Sequence, residues 1–339
     1  MEASLPKDEP QSKDASQTSK YQQKVKSQVQ QFANTAALWK LPPIHFYWMK
    51  KHIQPRIYEV MGCMNALEFY SKNIQSIEKE SIEIVSVGSG DCNIEIALAT
   101  ELKSQGVENF RIECLELSGI RLERAKVVAA RKGVLEDLVF TECDLNFWKP
   151  EKQYDVIIAH HSLHHLVELE QIFSTLKQAL SDEGLFLSID MIGRNGYMRW
   201  PEALEVIEGL WSIIPDHYKF NYQFNKHHEK FLNWDCSKSG FEGIRSQDIL
   251  PLLVENFAFQ SFLGYGNIID PFIERGYGHN LDPKNPKDFQ FIDFVEGLNI
   301  KLIDAGLVKP TIMFAVMSHE ADETKCFHHW TPTYCIRKP

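Results

Sequence analysis

The chain is expected to fold as an α/β protein, a doubly wound and mostly parallel sheet of seven strands with helices on both faces. Three observations predict this. Ile82 to Val87 is a short, largely apolar run that stops at Gly88-Ser89-Gly90. Ile94, Leu98 and Leu102 follow at i, i+4 and i+8, the spacing of one helix face. The same strand, turn and helix then recur along the chain, and strands alternating with helices of this length make a parallel sheet.

Taken in order, Ile82 to Val87 is the first strand, and the two glycines after it make a tight turn. Gly88 and Gly90 allow positive φ and leave the backbone open to a ligand. The amides at the start of the next helix, with its positive dipole end behind them, can hold a polar group there. Arg111 to Leu115 is the second strand and ends on Glu116, an acid placed to accept from ribose hydroxyls. Gly119 to Lys132 reads as a surface helix. Leu138-Val139-Phe140 is the third strand and runs into Cys143-Asp144-Leu145. Tyr154 to Ala159 is the fourth, entering His160-His161-Ser162-Leu163-His164-His165-Leu166. Leu169 to Leu180 has helical period, and Gly184 to Asp190 is the fifth strand. Ser246 to Phe257 is a helix, Ala258 to Leu263 the sixth strand, and Thr311 to Met317 the seventh.

These motifs, in this order and spacing, resemble the class I S-adenosylmethionine-dependent methyltransferases. The resemblance covers about residues 80–192, and Thr311 to Ser318 as the last strand. It implies a Rossmann-like methyltransferase fold with S-adenosyl-L-methionine as cofactor. By that resemblance Gly88, Ser89 and Gly90 are the glycine-rich turn, and Glu116, with Leu117, binds the ribose. Asp144 and Leu145 grip the adenine, and His160 borders the same cleft. Two positions depart from the family pattern. Ser86 stands where an acid often precedes the first glycine, and Cys92 stands where a third glycine usually follows. A dinucleotide oxidoreductase is the competing reading of the turn. That class prefers three glycines, and the acid after strand three belongs to the methyltransferase pattern.

Composition narrows the function. The chain has 339 residues and a formal net charge of −10, so it lacks the basic face that phosphate neutralisation requires, and nucleic acid is not an expected partner. No stretch approaches the ~18 apolar residues of a membrane span, and no signal-peptide core opens the chain. Seven cysteines without C-x-x-C spacing suit reduced thiols in the cytoplasm. Residues 1–20 read as a disordered segment, and 21–79 as a helical extension carrying an aromatic block, His45-Phe46-Tyr47-Trp48. That block is expected on the sheet edge or over the cofactor. The methyltransferase domain is expected over 80–318, with helical lid inserts at about 193–243 and 264–309, and a tail over 319–339 that the sequence does not place.

The chemistry expected is an in-line displacement, for which a protein mainly aligns donor and acceptor. His161, His165 and Asp190 are the candidates for the acceptor side, since histidine titrates near neutrality and strand tips face the switch-point crevice. Arg194, Arg199 and Trp200 follow as candidate substrate contacts, the arginines by bidentate pairing with an acidic group. The alternative for both arginines is pairing with the protein's own acids. No metal is expected. The acceptor is expected to be a small molecule or a glycan-like one, methylated on oxygen or nitrogen. A catalytically silent cofactor-binding sensor or scaffold, and a protein or peptide methyltransferase, are the other readings.

Overall fold

The computed structural model of the protein describes residues 40–337. The expectations of disorder over 1–20 and of a helix beginning at Tyr21 fall on residues outside that range. Strand β1 (Ile82–Val87) sits inside the main sheet, between β2 (Phe110–Glu116) and β4 (Tyr154–His160). Its apolar side chains Ile84, Val85 and Val87 are fully buried, as a strand covered by helices on both faces requires. β3 (Leu138–Glu142) pairs with β2, and β5 (Leu180–Met191) with β4, all in parallel. The order is therefore 3-2-1-4-5, and it reverses between β1 and β4. Ligands of open α/β sheets bind outside the carboxyl ends of the strands at such a reversal.

Beyond β5 the sheet turns antiparallel. β9 (Ile312–Ser318) runs against both β5 and β8 (Ala258–Tyr265). The main sheet has eight strands rather than the expected seven, because Lys325–Cys326 (β10) in the tail pairs in parallel with β8. Two residues carry no legible period, so the sequence had no signal for this strand. The tail is anchored beyond it as well: Trp330 is fully buried and its Nε1 donates to Asp304 Oδ1 at 2.7 Å.

Helices flank this sheet as the periodicity requires. α4 (Asn93–Ser104) follows the glycine turn and α5 (Gly119–Lys132) follows β2. α6 (Leu169–Ala179) buries Leu169, Ile172, Phe173, Leu176 and Ala179, one continuous face. Before the sheet come α1 (Pro43–Trp48), a wide turn over Met49–Ile53, α2 (Gln54–Met61) and α3 (Ala66–Gln75). Asn65 caps α3 by accepting from the Glu68 amide at 3.0 Å.

The first insert holds α7 (Pro201–Ile213) and a small hairpin of β6 (Phe220–Asn221) and β7 (Lys226–His227), and α8 (Ser246–Asn256) of the sheet domain follows it. The second holds α9 (Asp270–Ile273) and α10 (Pro286–Asp304), and α11 (Pro332–Cys335) lies in the tail. α10 begins where Asn285 accepts from the Lys287 amide and Pro286 fits the first turn. Trp48 of the aromatic block donates to Glu296 on α10 at 2.9 Å, so the block docks on the second insert and not over the glycine turn. No described helix is long and apolar enough to cross a membrane.

Candidate active site

The turn after β1 is built as two glycines demand. Gly88 and Gly90 have φ of 71° and 60°, in the left-handed region. A Cβ at Gly88 would meet Ser162 Cβ at 2.7 Å, and one at Gly90 would meet Arg121 Nη2 at 2.5 Å. Cys92 takes the same left-handed conformation, at φ 52°, so the backbone keeps the shape that a third glycine would favour. The amides of Gly88 and Ser89 both donate to Leu115 O, which ties the turn to the end of β2. Glu116 lies against it: Oε2 accepts from the Gly90 amide and Oε1 from the Ser118 amide, each at 2.9 Å.

These residues open onto a cavity of about 240 Å³ at the reversal between β1 and β4. Gly88, Ser89, Gly90, Glu116, Leu117, Asp144, Leu145 and His160 all line it, so every residue expected on the cofactor side meets in one space. Asp144 Oδ1 accepts from both the backbone and side-chain nitrogens of Asn146, at 3.0 and 2.8 Å, which fixes the carboxylate at the cavity wall. His160 is steadied from below by Tyr70 of α3, with 3.0 Å between Tyr70 Oη and His160 Nδ1. Burial holds His160 at about 3, and so neutral. Tyr70 was not legible as a site residue, because it lies 90 positions away from its partner.

On the far side of the cavity stand His161 and His165. His161 adopts φ 51°, an uncommon conformation for a residue with a Cβ. Burial lowers both imidazoles to about 4, so both are deprotonated at neutral pH. His164, between them in sequence, behaves otherwise. Burial pushes it down, but the adjacent Asp190 carboxylate outweighs that and holds it above the usual histidine range. Glu242 returns from the first insert to this wall, 3.7 Å from His164 Nε2 and 3.6 Å from His165 Nδ1. Tyr197 donates to Glu242 Oε1. Nothing in the sequence around Phe241-Glu242-Gly243 marks this acid, which reaches the site only through the path of the insert.

Four expected acceptor-side residues lie elsewhere. Asp190 is fully buried beneath the histidine turn. Its Oδ2 accepts from the Ser162 and Leu163 amides at 2.8 Å each, and its Oδ1 accepts from Met191 N and lies 2.6 Å from His164 Nδ1. Burial raises this carboxyl, but His164 outweighs it and holds it at about 2. Asp190 thus organises the turn and does not face an acceptor. Arg199 is buried in an ion pair with Asp270 and donates to Asn267 O at 3.2 Å, which joins the two inserts. Arg194 donates to Arg199 O at 2.9 Å and lies over the Trp200 ring, with Arg337 of the tail also over that ring. Arg337 in turn pairs with Glu202. For both arginines the pairing is within the protein. Trp211 of the first insert packs against Tyr277 of the second with ring centroids 4.7 Å apart, so aromatic residues bind the two inserts together.

Residues 85–186 match the family model described as a methyltransferase domain, on a sheet ordered 3-2-1-4-5 with an antiparallel β9 beyond. Residues 85–186 are a methyltransferase domain. Among solved structures the methyltransferase chain is similar to the geranyl diphosphate C-methyltransferase of Streptomyces coelicolor A3(2), at 11% identity over 87% of this chain and 98% of that one, with a TM-score of 0.47. A second similar structure is StiE O-MT residues 961–1257, at 11% identity over 84% of each chain and a TM-score of 0.43. The DhpI complex with SAH is similar at 18% identity over 50% of this chain and 69% of that one, with a TM-score of 0.33. No curated protein matches the chain.

Proposed function

We propose that this methyltransferase moves a methyl group from S-adenosyl-L-methionine to an oxygen or nitrogen of a small-molecule or glycan-like acceptor. The observation that carries the reading is the single cavity in which the stripped turn, the Glu116 carboxylate and the Asp144 carboxylate converge. The residues fit the donor. The turn at Gly88 and Gly90 has no room for a Cβ and leaves backbone to face a ligand, Glu116 is a rigid acceptor for ribose hydroxyls, and Asp144 stands where the adenine would be held. The donor supplies an electrophilic methyl on a sulfonium.

The chain's own part is alignment and exclusion of water. His160, His161 and His165 form the wall between donor and acceptor, and the first insert closes over it through Phe241 and Glu242. His161 and His165 are deprotonated at neutral pH on this wall, and His161 is the group proposed to take a proton from an acceptor hydroxyl or ammonium. Asp190 positions the turn that presents them. The insert is aromatic, and its acids are nearly balanced by Lys and Arg, which supports a small acceptor over a basic peptide. Seven free thiols suit a reducing compartment, and we place the enzyme in the cytoplasm on that ground.

The test is turnover. Purified protein incubated with methyl-labelled donor and a small-molecule extract is expected to yield S-adenosyl-L-homocysteine and a labelled product of low mass. Label confined to protein would favour peptide methylation. Donor binding without any homocysteine product from a broad acceptor panel would favour the silent sensor.

A further inference from the structure

We infer that His164, His165 and Glu242 form a binding site for a divalent transition-metal ion on the acceptor wall of the cavity. His164 Nε2, His165 Nδ1 and a Glu242 carboxylate oxygen converge so that the three atoms lie within 4.8 Å of one another. The separations carry the argument. Charge-assisted hydrogen bonds between nitrogen and carboxylate run about 2.7–2.9 Å, whereas Glu242 Oε1 stands 3.7 Å from His164 Nε2 and Glu242 Oε2 stands 3.6 Å from His165 Nδ1. Two ligands at ~2.1 Å from one tetrahedral ion lie about 3.4 Å apart, so each imidazole stands about one such spacing from its own oxygen of the Glu242 carboxylate.

The surroundings of the three groups fit the same reading. Ligating histidines almost always donate their other ring nitrogen to a carboxylate or carbonyl. His164 Nδ1 lies 2.6 Å from Asp190 Oδ1, and Asp190 is itself fixed by the amides of Ser162, Leu163 and Met191. That contact points Nε2 at Glu242. Glu242 is oriented by Tyr197, and the chain there is pinned by the Ile244 amide donating to His164 O at 3.1 Å. Two imidazoles and one carboxylate are a ligand set suited to zinc and its neighbours, and three protein ligands leave a position open. His165 also lines the donor cavity, so an acceptor hydroxylate or carboxylate can take that position; only this last point rests on the methyltransferase reading. The sequence led to the opposite expectation because Glu242 is 77 positions from His165.

The test uses the full chain, stripped with chelator and titrated with Zn²⁺ and then with Co²⁺. One Zn²⁺ per chain is expected to survive desalting, and Co²⁺ is expected to give intense visible bands without a thiolate charge-transfer band. His165→Gln and Glu242→Gln are each expected to weaken Zn²⁺ binding at least tenfold, and Asp190→Asn about 10- to 100-fold as an orienting partner. No stoichiometric Zn²⁺ on the wild type would overturn the site. So would undiminished binding in both ligand variants, or a thiolate band, which would assign the ion to cysteine. The Co²⁺ spectrum is read on the wild type, so misfolding of a variant does not remove the test. Donor binding in the same preparation is scored separately. Ion without donor would overturn the proposed function alone, and donor without ion would overturn the metal site alone.

Discussion

Ser86 Oγ donates to Glu95 Oε1 at 2.5 Å, which brings an acid from the first turn of α4 against the residue that precedes the glycine turn by two positions. The acid that the family often carries on the strand is thus supplied here from the helix. The arrangement has an electrostatic cost. Burial raises Glu95 to about 7, with Ser86 only partly opposing it, Glu116 adding to it and Arg121 reducing it. In the unfolded chain the same carboxyl titrates near 4.5. Between those two values the folded chain keeps a proton that the unfolded chain has lost, so stability falls as pH rises from about 4.5 through 7. Glu95→Gln is expected to flatten that slope and to stabilise the protein above pH 7, by at most about 3 kcal/mol for a gap of this size. Urea unfolding at pH 5 and pH 8 checks it. A variant with the same slope as wild type would contradict the account.

Gly90→Ala tests the turn. Its φ of 60° strains any residue with a Cβ, and the new atom would meet Arg121 at 2.5 Å. The strain costs roughly 1–2 kcal/mol. Displacing Arg121, which pairs with Asp91 at 3.1 Å, should also shift the helix start that borders the cavity. Donor affinity is expected to fall tenfold or more in calorimetry, with only a small change in melting temperature.

Arg199 gives the contrary pattern. It is buried against Asp270, and its removal leaves that carboxylate uncompensated. Arg199→Met is expected to destabilise by about 3–5 kcal/mol and to leave donor affinity within twofold. A variant of native stability with lost acceptor affinity would restore Arg199 to the substrate side.

The tail makes a prediction of its own. Trp330 is fully buried and bonded to Asp304. Trp330→Ala is expected to cost about 3–5 kcal/mol, measured by denaturant unfolding, and to leave the donor site unaffected. Little change in stability would mean that the tail is not part of the core.

The glycine-turn side of the cavity was legible because it is local. A strand, a glycine turn and a helix lie within some twenty residues, and strand ends fall at one edge of the sheet by topology alone. Glu116 and Asp144 could be picked because each ends a recognisable run. The acceptor half depends on long connections. Glu242 comes back from an insert with no period, Tyr70 from a helix before the sheet, and β10 from a two-residue pairing. Asp190, Arg194 and Arg199 were placed by proximity in sequence. Residues beside a strand tip can point under the turn as easily as into the crevice, and the hydrogen-bond partners that decide this are far away in the chain.

The most direct test of the central claim is calorimetric titration of S-adenosyl-L-methionine into wild type and Glu116→Ala. The account predicts micromolar binding to wild type, about −8 kcal/mol, weakened tenfold or more in the variant, whose Gly90 and Ser118 amides lose their acceptor. Absence of binding to wild type, or equal binding to both, would contradict it.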